Sequence, residues 1–181
     1  MFYAGKKFIL GILLFVVVLV YGAVGQKENQ KTEVIFLNVG QGDGVLVKLP
    51  GDIQILVDSG PSSNISSKLS QYLPFYDREI ELAILTHPHA DHLSGFLQVL
   101  KDYHIKNFIL AGANYESKIY DDFIKLLKEE SGNVYVAKSG DIVSWNNTPI
   151  LKVLWPDKIA LGQNFKSIHD SMVVTQLNLG H

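Results

Sequence analysis

The chain contains no cysteine. Disulfides and thiolate metal sites are therefore excluded, and the redox compartment is left open. It also carries little net charge, formally −2 over 181 residues. A broad basic face for nucleic acid is not advertised, although a local patch or a metal site can still receive phosphate. Charged residues make up only 19% and apolar residues 47%, which excludes general disorder. There is no repeat of fixed period, and no Walker-type GK[ST] follows the glycine-rich stretch GQGDG at 40–44. The length suits one domain with a real core.

What is present begins at the amino terminus. Phe8–Val24 runs seventeen residues without a charge, after Lys6 and Lys7, and the polar QKENQK follows. This predicts a short membrane-spanning helix, or alternatively a cleaved signal peptide with AVG at 23–25 as its small-residue site. The expected organisation is an anchor or signal over 1–26, a linker over 27–32 and a domain over 33–181. The expected location is a cell membrane, single-pass, with the domain on the extracytoplasmic side, or else secretion after cleavage.

Within the domain, Glu33–Val39, Gly44–Leu49 and Ile53–Val57 read as strands separated by glycine turns. Ile65–Leu73 suits a short helix capped by Asn64 or Ser63. Ile80–Leu85 reads as one apolar strand, and Leu93–Tyr103 as a helix with Leu93, Phe96, Leu97 and Leu100 on one face. Asn107–Ala111 is a strand. Ser117–Glu130 is amphipathic, with Ile119, Tyr120, Phe123, Leu126 and Leu127 on its apolar side. Strands follow at Val134–Ala137, Ile142–Trp145, Ile150–Leu154 and Met172–Leu177. Too few helices are present for a barrel ring, so a layered α/β structure is expected. Tyr72, Phe75 and Tyr76 either line a pocket or, the ordinary case, join the core.

Three of the six histidines fall in LTHPHADHLSG, 85–95. The pattern H-x-H-x-D-H places His87, His89, Asp91 and His92 directly after an apolar strand. Pro88 keeps His87 out of helical geometry, so a turn can aim His87 and His89 at one point. Asp91 and His92 open the next helix and can aim at a second. Imidazoles with a carboxylate suit zinc, manganese or iron. Asp58 ends another apolar strand, ILVDSG, and its carboxylate can accept the second-ring proton of a ligating histidine. Asp43, in GQGDG, either orients the histidine loop or caps its own turn.

Together these residues resemble the metallo-β-lactamase fold superfamily, and more narrowly the hydrolase domain of the ComEC/Rec2 competence proteins. The matching pieces are FLNVGQGDGVLVKLPGDIQILVDSG (36–60), LAILTHPHADHLSG (82–95), AKSGDIV (137–143), VLWP (153–156) and DSMVVTQLNLG (170–180). The resemblance implies a four-layer αββα sandwich, preceded by the membrane or signal helix. It implies a site for up to two Zn2+ or Mn2+ ions. His87 and His89 would bind one ion, and Asp91 and His92 the other. Asp91 would also act as the catalytic group that orients or receives a proton from water. Asp58, Asp43 and His169 would support these ligands. Relatives carry an N-[ND]-x-S segment where this chain has Ile168-His169-Asp170-Ser171. They continue into a bridging aspartate and a further histidine segment, so the resemblance implies a second half that is incomplete.

The function expected on this basis is metal-dependent hydrolysis, of a phosphodiester or nucleic acid, through water activated between two metals. The alternatives are a non-catalytic membrane-anchored interaction or relic domain, and hydrolysis of a lactone or thioester. Expected partners are DNA or another phosphodiester, the membrane through residues 8–24, and a polypeptide supplying the missing carboxy-terminal half.

Overall fold

A computed structural model describes residues 10–20, 31–130 and 132–178. Residues 10–20 form helix α1, with its apolar side chains exposed. Among the described residues no helix is long and apolar enough to cross a membrane. The membrane-spanning helix expected over 8–24 is thus corrected: none is found among the described residues. The single-pass placement drawn from it is corrected with it, as is membrane anchoring through residues 8–24. The remainder of that expected span, 8–9 and 21–24, and most of the expected linker lie outside the described residues.

The domain is built on one six-stranded sheet. Its strands are β1 (Glu33–Phe36), β2 (Val45–Leu49), β3 (Ile53–Val57), β5 (Leu82–Ile84), β7 (Asn107–Leu110) and β8 (Asn133–Val136), in the order β1-β2-β3-β5-β7-β8. The first three pair antiparallel through short glycine turns, in register from Val45↔Val57 to Leu49↔Ile53. From β3 onward the pairing is parallel, because each connection crosses over a helix. A second, three-stranded antiparallel sheet holds β9 (Ile142–Trp145), β10 (Thr148–Trp155) and β11 (Val174–Leu177), with β10 central.

Side-chain alternation along the large sheet divides the interior in two. Leu46, Leu56, Ala83 and Phe108 face the helices α2 (Asn64–Leu69), α3 (Ala90–Leu93), α4 (Phe96–Asp102) and α5 (Lys118–Glu130). Phe96, Phe108 and Phe123 pack there as an aromatic triad, with centroids 5.0–6.1 Å apart, and each is fully buried. Burying one such side chain contributes about 1.5–3 kcal/mol. The adjacent residue on each strand, Val47, Ile55, Ile84 or Ile109, faces Leu151 and Val153 of the small sheet. The described layers are therefore helices, large sheet and small sheet: an α/β sandwich with three described layers in place of the expected four-layer αββα.

Three local expectations change. Ile80–Leu85 is not one strand. Glu81 interrupts it, and β4 (Glu79–Ile80) pairs separately with β6 (His104–Ile105). Buried Glu81 is held by the Gln54 backbone N–H at 2.7 Å and by Lys106 at 3.4 Å. The helix expected over Leu93–Tyr103 is split into α3 and α4 around Ser94-Gly95. A side chain at Gly95 would run into the carbonyl oxygen of Ser59, so only glycine fits where the two segments touch. Finally, Tyr72, Phe75 and Tyr76 are neither core nor pocket residues: their exposures are 42%, 85% and 64%.

Candidate metal centre

The site lies beyond the carboxyl ends of β3, β5 and β7, where parallel α/β sheets commonly bind ligands. Asp58 follows β3 in a left-handed conformation, φ 55°, and is 3% exposed. Aspartate tolerates that region better than most residues. Its backbone N–H donates to the Ile84 carbonyl at 2.9 Å, fixing it beside the end of β5. Its carboxylate accepts three hydrogen bonds: from the Thr86 N–H at 2.8 Å, the Thr86 hydroxyl at 2.6 Å and Nδ1–H of His92 at 2.8 Å. A buried carboxylate is costly unless its lone pairs are used, and here they are used to join two motifs.

The glycine loops brace the same corner. Ser59 donates from both its N–H (2.8 Å) and its hydroxyl (2.9 Å) to the His92 carbonyl. Gly42, at φ 154°, lies so close to the Asp91 carbonyl that any Cβ there would collide with it. Asp43 N–H reaches the same carbonyl at 3.3 Å, and Gly60 N–H donates to the Asp43 carbonyl at 2.8 Å. The Asp43 side chain, 74% exposed, stands 3.8 Å from Nδ1 of His92. Its backbone thus ties the loops together, and its carboxylate is a distant neighbour.

Among the described residues, the side chains grouped closely enough to hold one metal ion are His87, His89 and His169, with ligand atoms within 4.8 Å of one another. The ring centroids are 4.7 Å apart for His87 and His89, and 4.8 Å from each of these to His169. His87 is buried, His89 partly so and His169 exposed. His169 sits on a 3-10 turn, Ile168–Ser171, that the Val173 N–H ties to the Thr86 carbonyl at 2.8 Å. The Trp155 indole N–H donates to the Asp170 carbonyl at 2.9 Å, holding the turn from the small sheet as well. His92 and Asp91 lie beside this trio but outside its group of ligand atoms. Nε2 of His92 is 3.7 Å from Oδ2 of Asp91, and the His92 ring centroid is 4.1 Å from that of His87.

Electrostatics separates the two kinds of histidine. Burial, reinforced by the nearby His92, His89 and His169 rings, lowers the pKa of His87 to about 4. Its ring is neutral at pH 7, with a lone pair available to a cation. His92 moves the other way. Its hydrogen bond to Asp58 raises its pKa, against burial and with help from Asp58, Asp91 and Asp43 charges. The donor set suits a divalent zinc- or manganese-type ion, since neutral imidazoles are that ion's ordinary ligands. The structure supports one such group of ligands; a complete pair of ions is not shown.

Reading the sequence put His169 among supporting residues and gave Thr86 no role. Its hydroxyl and N–H both engage Asp58, a contact 28 residues apart in the chain. No local pattern encodes it. Sizeable cavities lie elsewhere. One of about 530 Å³ opens between the sheets beside Leu82, Asn107 and Trp145, at the opposite ends of β5 and β7 from the histidines. The charges that act most on His87 and His92 are those of Asp43, Asp58, Asp91 and the imidazoles. The expected DNA or phosphodiester partner finds no support in the comparisons. Nor does anything in the comparisons point to a second polypeptide completing the site.

The family model of the metallo-beta-lactamase superfamily matches residues 37–170. No curated protein matches the chain. Solved structures similar to it include the metallo-beta-lactamase fold protein YhfI from Bacillus subtilis. That likeness has 21% identity, a TM-score of 0.46, and covers 68% of this chain and 51% of that one. The metallo-beta-lactamase SMB-1 has 18% identity and a TM-score of 0.46, covering 67% and 49%. A metallo-beta-lactamase-like protein from Thermotoga maritima has 17% identity and a TM-score of 0.43, covering 68% and 62%. The chain spans about half the length of most of these structures. Neither the family model nor these structures are of the ComEC/Rec2 branch, so that finer likeness and its competence role find no support among them. The sequence match covers most of the chain, including every residue from Asp43 to His169 that gathers at this corner, and the chain belongs to the metallo-beta-lactamase superfamily.

Proposed function

We propose that this chain is a metal-dependent hydrolase that cleaves phosphodiester bonds at the His87–His89–His169 cluster. The observation that carries the reading is the convergence of three imidazole ligand atoms within 4.8 Å of one another, beyond the end of β5. What a bound Zn2+ or Mn2+ ion supplies is Lewis acidity, which brings a water's pKa toward 7 and polarises the scissile ester. His87, His89 and His169 hold that ion, and the burial that keeps His87 neutral keeps its lone pair free. Asp91 is half exposed beside the trio and receives or orients the proton of the attacking water. His92 and Asp91 together are the ligands for a second ion. Asp58 keeps the corner rigid.

A second reading, hydrolysis of a lactone or thioester, is favoured by one observation. The charges that act most on His87 and His92 are those of carboxylates and other imidazoles, which suits an uncharged carbonyl substrate. The test is direct. The purified chain is supplied with Zn2+ or Mn2+ and offered bis(4-nitrophenyl) phosphate, a homoserine lactone and a thioester, beside the His87→Ala and Asp91→Ala variants. Phosphodiester turnover that both variants lose is the expected result. Turnover of the carbonyl substrates alone favours the second reading. Turnover that survives in both variants, or its absence in a chain that holds metal, overturns the hydrolase assignment.

A further inference from the structure

Which nitrogen each imidazole offers decides what the cluster can bind. A neutral imidazole has one N–H and one lone pair. At His92 the carboxylate of Asp58 settles the matter. A carboxylate only accepts, so Nδ1 at 2.8 Å is the donor and Nε2 keeps the lone pair. At His87 the neighbour of Nδ1 is the Thr86 hydroxyl, 3.0 Å away. A hydroxyl can serve a ring nitrogen in either sense, as donor or as acceptor. This one has a single proton, and it is directed to Oδ2 of Asp58 at 2.6 Å, the shorter and charge-assisted contact. Toward His87 the Thr86 oxygen can therefore only accept. Nδ1 of His87 carries the hydrogen, and its lone pair lies on Nε2.

We propose that Thr86 is a positioning residue: its hydroxyl passes the polarity of Asp58 to His87 and fixes the tautomer in which Nε2 is the ligand atom. One carboxylate then orients two histidines of the motif, His92 directly and His87 through one hydroxyl. The geometry leaves Thr86 little freedom. Its N–H donates to Oδ1 of Asp58 at 2.8 Å, and its carbonyl accepts from the Val173 N–H at 2.8 Å. The same residue thus links the strand end, the carboxylate and the segment bearing His169. This inference rests on the reading that His87 binds metal, but its first test needs no metal.

The experiment is long-range 15N–1H correlation of the histidine rings in the metal-free full chain at pH 7, for wild type, Thr86→Ser and Thr86→Val. Valine keeps the branched shape and the backbone N–H and removes only the hydroxyl. Wild type and T86S are expected to show His87 as the Nδ1–H tautomer, and T86V as Nε2–H or a mixture. Wild-type His87 in the Nε2–H form overturns the proposal, even should T86V fail to fold. So does a folded T86V whose His87 keeps the Nδ1–H form undiminished. Competition titration with a zinc chelator gives the second readout. T86V is expected to bind roughly 10- to 100-fold more weakly, with T86S close to wild type. A wild-type chain that takes up no zinc overturns the metal reading, while the tautomer pattern still decides the role of Thr86.

Discussion

Replacing Asp58 by asparagine tests the organisation of this corner, because the change keeps size and shape and alters only polarity. Asparagine is also at ease at a φ of 55°, so the backbone has no reason to move. If the amide oxygen keeps the Thr86 N–H, the amide nitrogen replaces Oδ2. It then faces the Thr86 hydroxyl and Nδ1 of His92, both of which donate to Oδ2 in the native protein. Both must reverse to become acceptors. His92 would carry its hydrogen on Nε2, and the freed Thr86 proton would turn to Nδ1 of His87. The network is repaired, but each ring now has its lone pair on Nδ1, turned toward the network. Two charge-assisted hydrogen bonds become neutral ones, a loss of about 1 kcal/mol each, or about 2 kcal/mol in all. For a domain of this size that corresponds to a melting temperature lower by roughly 4–8 °C. Zinc affinity is expected to fall by at least the 10- to 100-fold typical of a lost supporting partner.

The pH dependence of that loss carries a sign. The folded pKa of His92 is raised, with Asp58 as its main cause. The pair's contribution is therefore fully present below the unfolded histidine value near 6.5 and is lost as pH rises through the folded pKa. The gap between wild type and D58N should be widest near pH 5–6 and should narrow at pH 8–9. Urea denaturation of the metal-free proteins at pH 5.5 and 8.5 measures it, with ring NMR reporting the tautomers. A D58N protein within about 0.5 kcal/mol of wild type at pH 5.5, or one in which His92 stays protonated on Nδ1 at neutral pH, refutes the reasoning.

Three further outcomes are expected. Gly95→Ala forces a methyl against the Ser59 carbonyl, a backbone atom that cannot step aside, and should cost about 2–3 kcal/mol in urea denaturation. A change below about 0.5 kcal/mol would show that the two loops have slack. His169→Ala should leave metal-free stability unchanged, since the side chain is exposed, yet weaken zinc binding at least tenfold by calorimetry. Unchanged affinity would remove His169 from the ligand set. His87 should remain neutral in an NMR titration down to about pH 4. Its folded pKa is depressed, so its contribution to stability is complete above about 6.5 and is lost as pH falls toward 4. A midpoint near 6.5 would show that its ring is more exposed to water than the structure has it.

Much of the fold is written in local pattern. The alternation of Leu46 with Val47, Leu56 with Ile55, and Phe108 with Ile109 separates helix-facing from sheet-facing residues, and period-two alternation is visible in sequence. The strands Ile53–Val57 and Ile142–Trp145 fall where that pattern puts them. The misread places are those decided by contacts between distant segments. Glu81 looks like a polar interruption in an apolar run. Its role depends on Gln54 and Lys106, which no window around it contains. Likewise Ser94-Gly95 reads as the first turn of a helix from Leu93 until Ser59 is seen against it. At the amino terminus, an uncharged run implied a membrane span, and among the described residues no helix is long and apolar enough to be one.

The candidate site divides along the same line. His87, His89, Asp91 and His92 are adjacent in sequence, so their proximity needs no folding to be seen. His169 lies about eighty residues further on, and what brings it in is the small sheet. The Val173 N–H on Thr86 and the Trp155 indole on Asp170 hold its turn against the histidine loop. A close-spaced motif can thus announce that a metal site exists while leaving the third ligand open. The structure makes the opposite weighting: the closest group of ligand atoms includes distant His169, while neighbouring His92 has its Nδ1 engaged by Asp58. Spacing tells which residues can meet. The hydrogen bonds behind them, above all those of Asp58 and Thr86, determine which nitrogen each one presents when they do.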